Sequence, residues 1–327
     1  MSGSERPAAQ PHFHESQTSR SVLLVRPTCF SYNPETARSN HFARHAASDD
    51  LASLALSEFD SLQGALNDAG IETLILPSPH RLPCPDAVFP NNWVSFHADG
   101  TLVIYPMSAA SRRVERQPEQ LGLLLKQAGF KVEKIIDLSL EEDFGRFLEG
   151  TGSVILDRTQ RRAYAALSPR THPEAISLFN ERLGYSTFTF KADDPEGRPV
   201  YHTNVIMSLG KRFALICSSA VDQDSKPRLI EQIESTGRTV IDVNFNQVRQ
   251  FACNVIELSN DAAEAVLAMS TSARRSLRKD QLRDLEQLVD MIVDVDIPTI
   301  EAVAGGSVRC MIADIHLPKS TRSDCCA

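Results

Sequence analysis

The 327-residue chain holds no run near the ~18 uninterrupted apolar residues of a membrane span. It has no surplus of positive charge either: 34 Lys and Arg stand against 42 Asp and Glu, a net charge of −8. Such a field disfavours nucleic acid and anionic membrane, so neither is expected as a partner. Residues 1–20 are polar and lack the apolar segment of a secretory signal; they read as a disordered leader. There is no CxxC pair for zinc. His41 and His45 stand four apart without the helix and acidic partner of a zinc-protease motif, and His12 and His14 fall in the leader, so no metal is expected. The seven cysteines, at 29, 84, 217, 253, 310, 325 and 326, are odd in number and irregular in spacing. They make no disulfide framework and fit a reducing, cytoplasmic setting. Cys325 and Cys326 belong to a short polar tail, residues 319–327.

Apolar residues make up 42% and charged residues 23%, ordinary for a soluble globular chain. Short apolar runs alternate with amphipathic stretches along residues 21–318, which read as one domain. Residues 21–25 and 71–76 read as strands flanking a helix over residues 51–66. Residues 93–96 and 102–105 flank a turn at Ala98-Asp99-Gly100, a hairpin pattern, followed by a helix over 115–128 and a strand over 132–138. Strands over 153–156 and 162–167 precede a helix over 173–183. Strands over 200–209 and 212–217 precede a helix over 228–235 and a strand over 239–243. Strands over 251–258 and 265–269 precede a helix over 280–293. About five such units recur at roughly 55–65 residues, too long for a solenoid and compatible with a closed, propeller-like α/β repeat. A doubly wound α/β sheet is the competing architecture, but the hairpins imply mixed sheets and argue against it.

Four segments carry polar or nucleophilic residues in unusual places. In Gly305-Gly306-Ser307-Val308-Arg309-Cys310, a glycine pair permits a sharp turn that can present Cys310 to a cavity. A thiolate is a strong nucleophile; a buried structural cysteine is the alternative. In residues 201–207, read as a strand, alternation puts His202 and Asn204 on one face, either as a satisfied core pair or as part of a site. In residues 147–153, Glu149 precedes a Gly-rich turn into a strand, with a surface loop as the alternative. That run lacks the Lys-Ser/Thr of a P-loop. In residues 85–93, Asp86, Phe89, Asn91 and Asn92 are either a plain turn or a set of stiff contacts around a small molecule.

Together and in this order, the four segments resemble the amidinotransferase/arginine deiminase superfamily of guanidino-group-modifying enzymes. The resemblance runs from Arg26 to Pro318. Arg26-Pro27, residues 33–37, Asn40 and the run Pro85–Trp93 look most like its citrulline-hydrolase branch. The resemblance implies a five-bladed α/β propeller with the site in its central channel, no cofactor, and a small amino-acid substrate. It leaves self-association open. It implies Cys310 as nucleophile, His202 as general acid/base and Glu149 as the carboxylate that orients the imidazole. Arg170 would clamp the substrate carboxylate and Asp86 would meet its ammonium group. In arginine deiminases two Asp residues grip the guanidinium; here Asn92 and Asn204 stand in those places. A buried cation needs fixed anions, whereas an amide offers a neutral ureido group both donor and acceptor. The reading is therefore a hydrolase taking L-citrulline to L-ornithine, ammonia and carbon dioxide through a cysteine adduct. The alternatives are an arginine or methylarginine deiminase, a succinylarginine dihydrolase-like enzyme, an amidinotransferase, or a non-catalytic binding propeller.

Overall fold

The computed structural model describes residues 15–45, 50–79 and 83–320. Fifteen strands form five separate three-stranded sheets among these residues. The sheets are the blades of a five-bladed α/β propeller, as the repeat predicts, and no doubly wound sheet forms. Four blades are contiguous in sequence. They are β3 (Val94–Phe96), β4 (Thr101–Ile104) and β5 (Lys134–Asp137); β6 (Ile155–Asp157), β7 (Arg162–Leu167) and β8 (Ser186–Lys191); β9 (Met207–Leu209), β10 (Phe213–Ile216) and β11 (Thr239–Asp242); and β12 (Ile256–Ser259), β13 (Ala265–Ser270) and β14 (Met291–Val295). The remaining blade joins the two ends of the chain: β15 (Ala313–Ile315) pairs antiparallel with β1 (Ser21–Arg26), which pairs parallel with β2 (Glu72–Pro77).

Every blade has one plan. Its middle strand pairs antiparallel with the inner strand and parallel with the outer one. A parallel pair needs a crossover, which here is a helix. These helices are α1 (Leu51–Asp68), α2 (Pro118–Gln127), α3 (Pro173–Leu183), α4 (Lys226–Glu234) and α5 (Lys279–Leu288). Each turns an apolar stripe inward: Ala55, Phe59, Leu62 and Leu66 of α1 are buried at helical spacing. Proline in the first turn of α2, α3 and α4 fits a position whose N–H has no intrahelical partner.

Several expected elements differ. The helix read over 280–293 stops at Leu288, and Met291–Val295 becomes the outer strand β14, paired with β13. The strand read over 200–209 is a single helical turn, Thr203–Val205, followed by the short β9. The alternation argument for His202 and Asn204 therefore does not hold. The helix read over 115–128 begins only at Pro118.

The folded body also begins earlier than the expected boundary at residue 21. Residues 15–20 cross one face of the ring. Buried Glu15 pairs with buried Arg158 beyond β6, and Gln17 donates to the carbonyls of Leu156 and Leu209. The Ser19 carbonyl accepts from the amide of Ser259, and its hydroxyl meets the carbonyl of Ile315. Four blades are thus tied by one strap. The remainder of the expected leader, the tail beyond Ser320 and its Cys325 and Cys326 lie outside the described residues. Among the described residues no helix is long and apolar enough to cross a membrane, and no group of three or more His, Cys, Asp or Glu is arranged to hold a metal ion.

Candidate active site

Each inner strand is entered through a tight turn, and these turns converge on one another. They are Pro90–Asn92 before β3, Gly150–Ser153 before β6, Thr203–Val205 before β9, residues 251–254 before β12 and the helical turn Val308–Met311 before β15. A cavity near them is lined by Thr36, Asn40, Asp86, Phe89, Asn92, Arg112, Arg170, Tyr201, His202, Ala304, Gly305, Gly306 and Cys310.

Cys310 sits on the last of these turns. Gly305 takes a left-handed conformation (φ 63°) that ends the preceding helix Pro298–Ala304. A Cβ on Gly306 would meet the Phe89 ring at 2.8 Å, so the glycine pair permits both the turn and the close approach of Phe89. Asn204 donates to Cys310 Sγ at 3.5 Å and Asn254 donates to it at 3.3 Å.

His202 and Glu149 precede two other turns. His202 Nε2 lies 2.8 Å from Glu149 Oε2, with the residues only 2% and 0% exposed. Ser108 N–H donates to the other carboxylate oxygen at 2.9 Å, and Arg170 Nη1 lies 3.3 Å from Oε2. Burial pushes the Glu149 carboxyl up, but Arg170 and His202 overcome that and hold it well below the usual carboxylate range. Burial lowers the imidazole to about 4 despite the adjoining carboxylate. The resting pair is therefore an ionised Glu149 and a neutral His202, a base ready to accept a proton. The other ring nitrogen, Nδ1, faces Gly152: a Cβ there would lie 2.9 Å from it and 2.6 Å from Asn92 Nδ2.

The other expected contacts divide. Asp86 lines the cavity, accepting from Asn33 at 2.8 Å and Thr36 at 3.0 Å; burial raises its carboxyl, opposed by Arg112 and those donors. Asn92 and Phe89 line it too. Asn91 does not: its side chain accepts from Asn92 at 3.0 Å, and its carbonyl lies against Gly150. Arg170 lines the cavity, but its donors are already committed to Glu149, the Thr36 carbonyl and Ser39 Oγ. Only one of its five N–H groups is left for the expected carboxylate clamp, and its evident contact is with Glu149. It also stacks over Tyr201, with Cζ 4.9 Å from the ring centre.

Sequence reasoning missed two side chains. Arg112 lines the cavity, forks onto Glu115 at 3.0 and 2.8 Å and donates to Asn92 Oδ1 at 2.6 Å. It sits in a polar stretch that looks solvent-facing, and no local signal marks it. Asn254 does carry a signal: Asn254-Val255-Ile256 repeats Asn204-Val205-Ile206 one blade later.

The family model for N,N dimethylarginine dimethylhydrolase, eukaryotic, matches residues 26–317. The chain belongs to this family. It thereby falls within the amidinotransferase/arginine deiminase superfamily, as its motifs imply. No curated protein matches the sequence. Among solved structures, the substrate-bound N-terminal domain of ArgZ, a cyanobacterial arginine dihydrolase, is 17% identical with a TM-score of 0.67, over 90% of this chain and 97% of that one. Apo ArgZ gives a TM-score of 0.70 at 17% identity, over 92% of this chain; the chain spans only 41% of that longer protein. A dimethylarginine dimethylaminohydrolase, solved as an adduct with a chlorinated pyridine, is 16% identical with a TM-score of 0.62, over 90% of this chain and 99% of that one. These likenesses establish the propeller fold.

Proposed function

We propose that the chain is a cysteine-dependent hydrolase that cleaves a terminal C–N bond of the guanidino group of arginine or of an N-methylated arginine. The observation that carries this reading is that Cys310 and His202, brought from separate blade turns, face one cavity, with Glu149 bonded to His202 from a third turn. Membership of the dimethylarginine hydrolase family supports the guanidino substrate class. Arg112 and Asp86 in the same cavity suit the carboxylate and ammonium ends of an amino acid.

The neutral His202 takes the thiol proton of Cys310, and Sγ attacks the guanidino carbon. The bond from that carbon to the terminal nitrogen breaks, and His202 returns its proton to the departing amine. Ammonia or a methylated amine leaves, and the carbon stays bonded to sulfur. Water then adds to that carbon and gives a proton to His202. The C–S bond breaks and a ureido amino acid departs. Glu149 holds the imidazole in register and balances the charge it gains. Transfer to a second amine in place of water would make the enzyme an amidinotransferase.

A second reading is hydrolysis of the ureido group itself, taking citrulline to ornithine, ammonia and carbon dioxide. The amides of Asn92 and Asn204 favour it, because neither supplies a fixed anion for a guanidinium. The Arg112 contact adds to this, since a cation already sits on Asn92 Oδ1.

A substrate panel separates the two. Purified protein is incubated with arginine, methylarginines, agmatine, succinylarginine and citrulline, and citrulline, ornithine and released amine are quantified. Citrulline from arginine or a methylarginine supports the guanidino reading. Ornithine from citrulline alone replaces it with the ureido reading, and no turnover of any panel member overturns both.

A further inference from the structure

Asn254 has contacts that packing alone does not require. It is 1% exposed. Its Oδ1 accepts from the Cys310 backbone N–H at 3.3 Å, and its Nδ2 donates to the Asn204 carbonyl at 3.2 Å and to Cys310 Sγ at 3.3 Å. The two backbone contacts fix which way the amide points. A backbone N–H can only donate and a carbonyl can only accept, so Oδ1 must face Cys310 N and Nδ2 must face Asn204 O. The remaining N–H is thereby aimed at the sulfur. Asn204, at the matching place in the preceding blade, aims its own Nδ2 at the same atom from 3.5 Å.

We propose that Asn254, together with Asn204, forms a two-amide cradle that stabilises the Cys310 thiolate, making Asn254 a catalytic residue. A neutral thiol is a weak acceptor, whereas an anionic sulfur is a strong one, so the same two N–H groups bind the charged form better. The cradle acts twice. It favours the nucleophile when His202 takes the thiol proton, and it favours the leaving thiolate when water opens the adduct. It also gives Asn204 a task distinct from a guanidinium-gripping carboxylate. Its Nδ2 serves the sulfur, while its buried Oδ1 has no partner among the described residues. This role presupposes Cys310 as the nucleophile of the proposed hydrolase.

The test is alkylation of Cys310 by iodoacetamide as a function of pH, read at the Cys310 peptide by mass spectrometry, in the wild type, Asn254→Asp and Asn254→Ala. No substrate is involved, so the outcome is independent of the activity panel. Asn254→Asp keeps the shape and the acceptor for Cys310 N–H but replaces the donor facing sulfur with a carboxylate. Both variants are expected to alkylate roughly tenfold or more slowly at neutral pH, with the midpoint of the pH curve moved upward. Turnover, once a substrate is known, is expected to lose kcat with little change in KM. If the alanine variant does not fold, as judged by near-UV circular dichroism, the near-isosteric aspartate variant decides. Alkylation curves that superimpose on the wild type in a folded variant overturn the cradle while leaving the hydrolase reading intact. Slowed alkylation without turnover of any panel substrate does the reverse.

Discussion

His202 Nε2 lies 2.8 Å from Glu149 Oε2, on two turns that precede inner strands of neighbouring blades, β9 and β6. That spacing ties the proposed acid/base to its carboxylate, and the carboxylate is in turn held by Arg170 at 3.3 Å and by Ser108 N–H at 2.9 Å. Glu149→Gln keeps the shape and removes the charge. It should lower kcat about 100-fold or more, because the imidazole loses both orientation and the partner for its cationic form. It also leaves the Arg170 guanidinium buried without its anion, which should cost about 3 kcal/mol of stability or more, measurable by urea unfolding.

The pH dependence follows from His202. Burial lowers the imidazole from its ordinary 6.5 to about 4, so the folded protein stays unprotonated there over a range in which the unfolded chain takes up a proton. Stability from this site is complete above the ordinary value and is lost as pH falls toward about 4, a loss on the order of 3 kcal/mol. The acid limb of kcat/KM should have its midpoint near 4 and not near 6.5. Activity that collapses through pH 6.5 in a folded enzyme would contradict a neutral resting His202.

Gly152 is a position where one methyl group should suffice. Its Cβ would lie 2.6 Å from Asn92 Nδ2 and 2.9 Å from His202 Nδ1, nearer than side-chain atoms approach without displacement. Gly152→Ala should reduce kcat about 100-fold through misplacement of the imidazole while far-UV circular dichroism stays unchanged. Wild-type kcat in that variant would mean that His202 Nδ1 plays no part in proton transfer.

Residues 15–20 should matter for stability and little for chemistry. Burial pushes the Glu15 carboxyl up, but Arg158, with His97 and His316, together outweigh it and lower the group to about 2. Its contribution is present above the ordinary carboxyl value of 4.5 and is lost as pH falls toward about 2. Glu15→Gln leaves Arg158 with Asp314 at 3.0 Å as its remaining anion and should cost about 3 kcal/mol in urea unfolding, with KM unchanged. A variant as stable as the wild type would show that the strap does not clasp the blades.

The blade repeat was legible because glycine turns and crossover helices recur at a regular interval. The strands at either end of the last blades were less so. Met291–Val295 continues the apolar pattern of α5 without a glycine or proline between them, and β15 is only three residues long. Cys310, His202 and Glu149 could be named because their segments together, in this order, resemble a known superfamily; each alone has an ordinary structural reading. Their setting could not. The turn that holds His202 and Asn204 is apolar enough to read as a strand. Arg112 enters the cavity from a segment whose charges resemble an exposed helix entry, and the Asn254 amide acquires its meaning only once its blade turn meets that of Cys310.

The most direct measurement is to quench the protein with acid during turnover of arginine and N,N-dimethylarginine and map the modified peptide by mass spectrometry. The wild type is expected to carry a substrate-derived carbon on Cys310, and Cys310→Ser is expected to show neither adduct nor turnover. Turnover that persists in Cys310→Ser, or an adduct on any other residue, would contradict the proposal that Cys310 is the nucleophile.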